Sequence, residues 1–229
     1  MTILRRHVVA WWQALVSPET AGQLVLDRDG SPGFNTFLAI GIATLYGIYG
    51  ITMGIYQGAL PALISGLKLP FLYLFTGITC FPAFYVLNCL LGPKLEFSQC
   101  VRLLLIAVST NAAALASYAP FSLFFTLTTS TAGYGFLVLM HVAVFALSAL
   151  ASLVVIGLMF RATAREVGRP LRPMFVVAWG FLYAFVGTQT SWILRPWVGT
   201  QAIEYVPIRP LGGSFIEAVW ELVRNLMRS

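Results

Sequence analysis

The chain of 229 residues is 59% hydrophobic and 10% charged, with 14 Lys and Arg against 8 Asp and Glu. Soluble domains carry roughly a quarter charged residues, so this composition excludes an ordinary water-soluble domain, a disordered chain and a disulfide-rich secreted scaffold. Long charge-free runs also exclude the alternating pattern of a transmembrane β-barrel. With a mean hydropathy of +0.83, the sequence predicts an all-α integral membrane protein.

The first predicted element is an amphipathic interfacial segment, residues 1–33. Apolar side chains recur in it at helical spacing, opposite Arg5 and Arg6: Leu4, Val8, Trp11, Trp12 and Leu15. This pattern is typical of a basic helix in the headgroup region. Ser17, Pro18 and Glu19 then predict an N-cap, a first-turn proline and an acid near the positive end of the helix dipole, which start a second short helix. We expect the segment to anchor the chain on the membrane or to dock on a partner.

Four charge-free stretches follow and predict a bundle of transmembrane helices over residues 34–197. They run from 30 to 67, 69 to 93, 103 to 160 and 173 to 194. Because a helix needs about 20 apolar residues to cross roughly 30 Å of hydrocarbon, the second and fourth stretches fit one span each, and the third fits two with a hinge at 126–135. The first stretch predicts a helix over 34–58 and then a short interfacial piece, 59–66, set off by Pro61. The total is about five spans.

Positive charge predicts the orientation of this bundle, because cytoplasmic loops retain Lys and Arg. Six basic residues lie in the connections after the second and fourth spans: Lys94, Arg102, Arg161, Arg165, Arg169 and Arg172. The connections after the first and third spans hold only Lys68. We therefore expect a multi-pass protein with its amino terminus in the cytoplasm. Five spans then put the tail outside, although four arginines follow the fifth span and oppose that placement.

The C-terminal part, residues 198–229, is predicted to be a loop and a second amphipathic helix. Ser214 and Glu217 have the spacing of a capping box, in which each side chain accepts a bond from the other residue's backbone N–H. The apolar side chains that follow recur at helical spacing: Phe215, Ile216, Val219, Trp220, Val223, Leu226 and Met227. As at the amino end, we expect either membrane anchoring or docking on a partner.

Gly50, Gly54 and Gly58 form a ridge of small residues on the first span. Small residues at this spacing let two transmembrane helices approach closely, because packing drives their association in lipid. The ridge predicts helix packing, either within one chain or along the seam of a homo-oligomer.

Polar residues inside spans are candidates for a pathway. Counting residues from the helix ends places Gln57, His141 and Gln189 in the outer half of the membrane, where they could form an intramembrane polar patch. Asn88 and Asn111 would pair nearer the inner side. The alternative is that all of them form interhelical hydrogen bonds. None of the eight acidic residues lies in the middle of a span, which argues against a proton-coupled pump but leaves a passive pore open.

Trp192, Arg195 and Trp197 follow one another at the end of the fifth span. Tryptophans on either side of a guanidinium predict a clamp in which Arg195 pairs with a lipid phosphate, a partner or an aromatic ring. The alternative is that Arg195 extends to the headgroups and only ends the span.

The sequence offers no candidate catalytic, cofactor-binding or metal-binding residues, and we expect no cofactor and no enzymatic activity. Only two histidines occur, so a His-rich catalytic metal site is excluded. The net charge of +6 is accounted for by the orientation pattern and by anionic lipid headgroups, so nucleic acid is not an expected partner.

Several segments resemble a family of bacterial polytopic membrane proteins to which no activity has been assigned: WGFLYAFVGTQTSWILRPWVG at 179–199, KLP at 68–70 and PAFYVLNCLLG at 82–92. More loosely, Ser17-Pro18-Glu19-Thr20 ahead of five spans resembles the entry to Yip-type membrane domains, whose eukaryotic members act in vesicle traffic without catalysis. These resemblances imply a location in the bacterial inner membrane and carry over no catalytic residue.

Two functions remain open at this point. The first is a non-catalytic structural or accessory subunit of an inner-membrane assembly, bound to itself or to other membrane subunits. The second is a channel or carrier for an ion or small solute that passes Gln57, His141 and Gln189.

Overall fold

The computed structural model describes residues 3–27, 33–129, 133–169, 172–199, 206–207, 217, 220–221 and 224. In these ranges the chain forms α-helices and no strand: α1 (Ile3–Val16), α2 (Pro18–Leu26), α3 (Phe34–Gly54), α4 (Ala59–Leu91), α5 (Phe97–Ser117), α6 (Ala119–Thr128), α7 (Tyr134–Glu166) and α8 (Pro173–Ile193). Five of the resulting segments are long and apolar enough to cross a membrane: α3, α4, α5 together with α6, α7 and α8. The predicted class, an all-α membrane protein with five spans, is confirmed.

The spans alternate in direction, which gives the bundle two ends. α3, α5 and α8 begin where α4 and α7 finish, and the connections at this end carry Lys94, Arg169 and Arg172. We call it the basic end. The residues after α8, 194–199, fold back over the opposite end, and we call them the strap and that end the strap end. The predicted hinge at 126–135 is confirmed, because α6 finishes at Thr128 and α7 begins at Tyr134.

The start of α4 corrects the predicted interfacial piece at 59–66. These residues form the first two turns of a helix that runs unbroken from Ala59 to Leu91. Pro61 does not interrupt the helix, because it lies in the first turn, where a missing N–H removes no intrahelical bond. α3 stops four residues before the predicted end, at Gly54. Lys68 therefore lies within a helix and not in a connection.

α1 and α2 form where predicted, but they also belong to the bundle. The Ser17 hydroxyl caps α2 by accepting a bond from the N–H of Thr20 at 3.3 Å. A Cβ on Gly22 of α2 would lie 3.1 Å from the backbone nitrogen of Thr163 in α7, so the two backbones are in close contact. The Trp11 indole N–H donates to the Ser109 hydroxyl of α5 at 3.1 Å. Surface anchoring therefore accounts for only the outward face of these helices, which exposes apolar side chains: Leu4, Val8, Trp12 and Val16.

Most of the predicted C-terminal amphipathic helix, including Ser214, Phe215 and Ile216, lies outside the described residues. The described members Glu217, Trp220, Glu221 and Arg224 are helical and exposed.

Candidate functional site

The glycine ridge packs α3 against α4 within the chain. A Cβ on Gly50 would overlap the Ser65 carbonyl oxygen and lie 3.0 Å from Cα of Gly66. A Cβ on Gly54 would lie 2.6 Å from Cα of Ala62. Both glycines therefore permit a backbone contact that no other residue type allows. Of the two interpretations of the ridge, packing within one chain describes these contacts.

Gly58 is not part of that ridge. It lies in the turn between α3 and α4, with a φ of +139°, and a Cβ on it would meet nothing within 4 Å. The prediction that Gly58 continues the ridge of Gly50 and Gly54 is wrong, because α3 ends at Gly54. Gly58 supplies a backbone conformation that L-residues rarely adopt.

His141 is a buried residue of α7 and contacts Tyr49 of α3. The Tyr49 hydroxyl and the His141 Nδ1 are 2.9 Å apart, and the two rings meet edge to face. One turn further along α3, the hydroxyls of Thr52 and Ser122 lie 3.3 Å apart. His141 thus joins a set of polar side chains at helix contacts.

Gln189 and Gln57 do not join His141, so the predicted polar patch is not assembled. Gly187, two residues before Gln189, lies level with Thr76 of α4, whereas the part of α3 that holds Tyr49 lies level with Gly66. Ten residues of α4, about 15 Å along its axis, separate those two levels. The residue count from the helix ends was misleading, because α8 ends level with Lys68, well short of the start of α4 at the strap end. Gln189 is exposed, and Gln57 packs against Gly199 of the strap.

A second buried network joins α3, α5 and α7 near the middle of the bundle. The Tyr46 hydroxyl donates to Oδ1 of Asn111 at 2.7 Å. The Asn111 amide nitrogen donates to the hydroxyl of Ser152 at 3.0 Å. Asn88 instead exchanges two hydrogen bonds with the backbone of Leu95, so the predicted pairing of the two asparagines is wrong. Asn111 forms the interhelical hydrogen bonds that were its alternative role.

Lys68 is the residue that holds the strap on the bundle. Its ammonium donates to the carbonyl oxygens of Leu194, at 2.9 Å, and of Pro196, at 3.4 Å, and also to that of Pro207. An ammonium has three N–H donors, and here each meets a carbonyl. Leu194 is the C-cap of α8, where a positive charge also stabilises the negative end of the helix dipole. In the sequence analysis Lys68 was a loop charge and part of the KLP segment, and neither predicted its contact with the end of α8.

Further contacts fix the strap residue by residue. The Ser65 hydroxyl of α4 donates to the Trp197 carbonyl at 3.0 Å, and the Tyr134 hydroxyl of α7 donates to the Val198 carbonyl at 3.2 Å. Because these two donors lie on different helices, the strap ties α4 to α7. Neither Ser65 nor Tyr134 carried a sequence signal, since a lone hydroxyl in an apolar helix has many possible partners.

Of the predicted clamp residues, Arg195 and Trp192 contact each other, and Trp197 bonds to the end of α8. The guanidinium carbon of Arg195 lies 3.8 Å from the centroid of the Trp192 ring, which is cation–π geometry. The Trp197 indole N–H donates to the Ser191 carbonyl at 2.9 Å. The chain thus supplies the predicted aromatic partner of Arg195, and pairing with a lipid phosphate or a partner stays a prediction.

The site is therefore a set of hydrogen bonds and aromatic contacts that connects helices. Among the described residues, no three His, Cys, Asp or Glu side chains come close enough to hold a metal ion. The class that fold and site define is a polytopic α-helical membrane protein with a strapped end. Comparison with protein-family models, curated proteins and solved structures found no match.

Proposed function

We propose that the chain is a non-catalytic structural subunit of a membrane assembly, and that α8 is its contact with a second copy. The observation that carries this proposal is the exposed amide of Gln189 on the outward face of α8. α8 packs one side against α4 and α7, and its buried residues are Phe175 and Trp179. Its other side exposes large apolar residues: Met174, Val177, Phe181, Phe185 and Ile193.

An amide in this position favours an identical partner. A two-fold axis along the membrane normal would place Gln189 of both copies at the same depth, and an isologous contact pairs each residue with its own equivalent. A primary amide has both a donor and an acceptor, so two copies satisfy each other with two hydrogen bonds. In apolar surroundings an amide without such partners is unfavourable, and within the described part of α8 no hydrogen bond of the Gln189 side chain occurs.

The alternative, a channel or carrier past Gln57, His141 and Gln189, has less support. His141 is engaged by Tyr49 inside the bundle, Gln57 packs on the strap, and Gln189 lies at a different level on the outward side. A path through all three would require them to line one passage.

The expected result for Gln189→Leu is a dimer about tenfold weaker than that of the unmodified chain, because interhelical hydrogen bonds of this kind contribute about 1–2 kcal/mol in model peptides. The measurement is the dimer fraction in lipid nanodiscs over a range of protein-to-lipid ratios. Thr44→Val is the matched control, because the Thr44 hydroxyl bonds only to Ile40 of its own helix at 2.9 Å.

An unchanged dimer fraction in Gln189→Leu would remove α8 as the contact. If only a different membrane protein co-purifies with the chain, the proposed structural role remains, but the proposed contact between two copies of the chain is wrong. Selective solute flux into proteoliposomes that is lost in His141→Ala would instead support the channel.

We infer further that the basic end faces the cytoplasm of a bacterial inner membrane, because Lys and Arg are retained there. In a chain whose three native cysteines are replaced, Arg165→Cys should react with an impermeant maleimide only after the cells are permeabilised. Thr128→Cys, at the strap end, should react in intact cells. The opposite labelling pattern would reverse the orientation.

A further inference from the structure

A groove lies between α4 and α5 on the lipid-facing side of the bundle. It has a volume of about 300 Å³, and except for Tyr73 the residues that line it are apolar or glycine. It extends from Phe97 and Val101 near the basic end to Val108 near the middle of α5. Its rim is open to lipid, since Ile78 is 73% and Phe97 60% exposed.

The length of the groove matches one leaflet of a bilayer. Phe97 and Val108 are eleven residues apart on α5, which corresponds to about 17 Å along the helix. One leaflet has a similar thickness, because it is half of a hydrocarbon core of about 30 Å. The charged residues Lys94 and Glu96 directly precede α5 and mark the membrane surface at the basic end. The groove thus begins at the surface and ends near the bilayer midplane.

The floor of the groove is open because of Gly77. A Cβ at this position would have one neighbour, the Leu104 Cδ2, at an ordinary contact distance of 3.9 Å. Unlike Gly50 and Gly54, Gly77 is thus not needed for contact between two helix backbones. Its missing side chain leaves space between α4 and α5.

We propose that this groove binds one acyl chain of a phospholipid from the leaflet at the basic end. An apolar void leaves its lining without dispersion contacts, so a groove that opens to hydrocarbon is filled by it. A volume of about 300 Å³ spread over that length is too narrow for a second helix, whose diameter is about 10 Å. A single hydrocarbon chain is the occupant whose width and length both fit. This binding site is independent of the proposed dimer, which uses α8.

The test is photolabelling with a phosphatidylglycerol that carries a diazirine on one acyl chain, in vesicles of unlabelled phosphatidylethanolamine and phosphatidylglycerol. Labelled peptides are mapped by mass spectrometry. We expect the label to concentrate on residues 73–82 and 97–108, well above the lipid-facing part of α7 around Leu150 and Val154. Those two residues are 62% and 64% exposed, so they report labelling by bulk lipid.

Gly77→Leu should lower groove labelling by about tenfold, because the new side chain enters open space and occupies the groove. Gly41→Leu is the matched control: a Cβ on Gly41 meets nothing within 4 Å, but this residue lies on α3, away from the groove. Val101→Phe fills the groove from α5 and gives a second result if Gly77→Leu does not fold. Uniform labelling, or labelling that persists in folded Gly77→Leu and Val101→Phe, would overturn the proposal. A cross-link between two copies of the chain at residues of the groove would also overturn it, because a second copy and not a lipid would then occupy the groove.

Discussion

Replacing Gly50 with alanine is expected to lower the free energy of unfolding by about 2 kcal/mol, although the change adds a single methyl group. The methyl group would overlap the Ser65 carbonyl oxygen and lie 2.9 Å from the carbonyl carbon of the same residue. These are backbone atoms of α4, which cannot move aside as a flexible side chain does. The helices must separate, and the α3–α4 contact loses its packing. Unfolding by SDS titration from mixed micelles measures the change.

Gly41→Ala is the matched control on the same helix. Its new Cβ meets nothing within 4 Å, and alanine is favoured over glycine in a helix by roughly 0.5–1 kcal/mol. The control should therefore be neutral or slightly stabilising. The two variants also separate the interpretations of the glycine ridge. If Gly50→Ala dissociates an oligomer while each chain unfolds as before, the ridge is an intermolecular seam and the packing against α4 is not what the glycine serves.

The number and order of the spans could be predicted because charge is so rare in this chain. α8 runs from Pro173 to Ile193, almost the whole of the charge-free stretch 173–194, and the cap at Ser17 was evident from local chemistry. Such signals depend on a residue and its close neighbours in sequence. α4 was divided wrongly because Lys68 was taken to mark a loop. A lysine can lie in a helix when carbonyls from elsewhere meet its three N–H groups, and those carbonyls are 126 to 139 residues away.

The partners of the polar residues could not be predicted, because they depend on helix rotation and relative height. The spans are apolar all round, so no stripe in their sequence indicates which side is buried. Two facts could not be read from the sequence. One is how far α8 ends from the start of α4 at the strap end, and the other is which side of α3 carries Tyr49. Without them His141 was assigned to Gln189 in place of Tyr49. For Asn111, interhelical hydrogen bonding was one of the two predicted roles and is the one observed. Its partners include Tyr46 and Ser152, and not Asn88.

Replacing Lys68 with methionine is expected to release the strap while the five-span bundle stays folded. Methionine keeps an unbranched apolar stem against α4 but removes all three donors to Leu194, Pro196 and Pro207. Hydrogen bonds to a charged group contribute about 1.5–3 kcal/mol each, so backbone amide exchange over residues 191–199 should become at least about tenfold faster. The acceleration should be confined to that segment, because the contact between α3 and α4 does not involve the ammonium.

Lys94→Met provides the matched control, because Lys94 is exposed in the connection between α4 and α5 and the change removes the same charge at the basic end. Its exchange over 191–199 should equal that of the unmodified chain. In Lys68→Met the bonds from Ser65 to Trp197 and from Tyr134 to Val198 remain, so the strap should loosen first at the end of α8 and last at Val198. Exchange that is equally slow in Lys68→Met and Lys94→Met would mean that these two hydroxyls hold the strap by themselves, and that the lysine only marks where α4 meets the membrane surface.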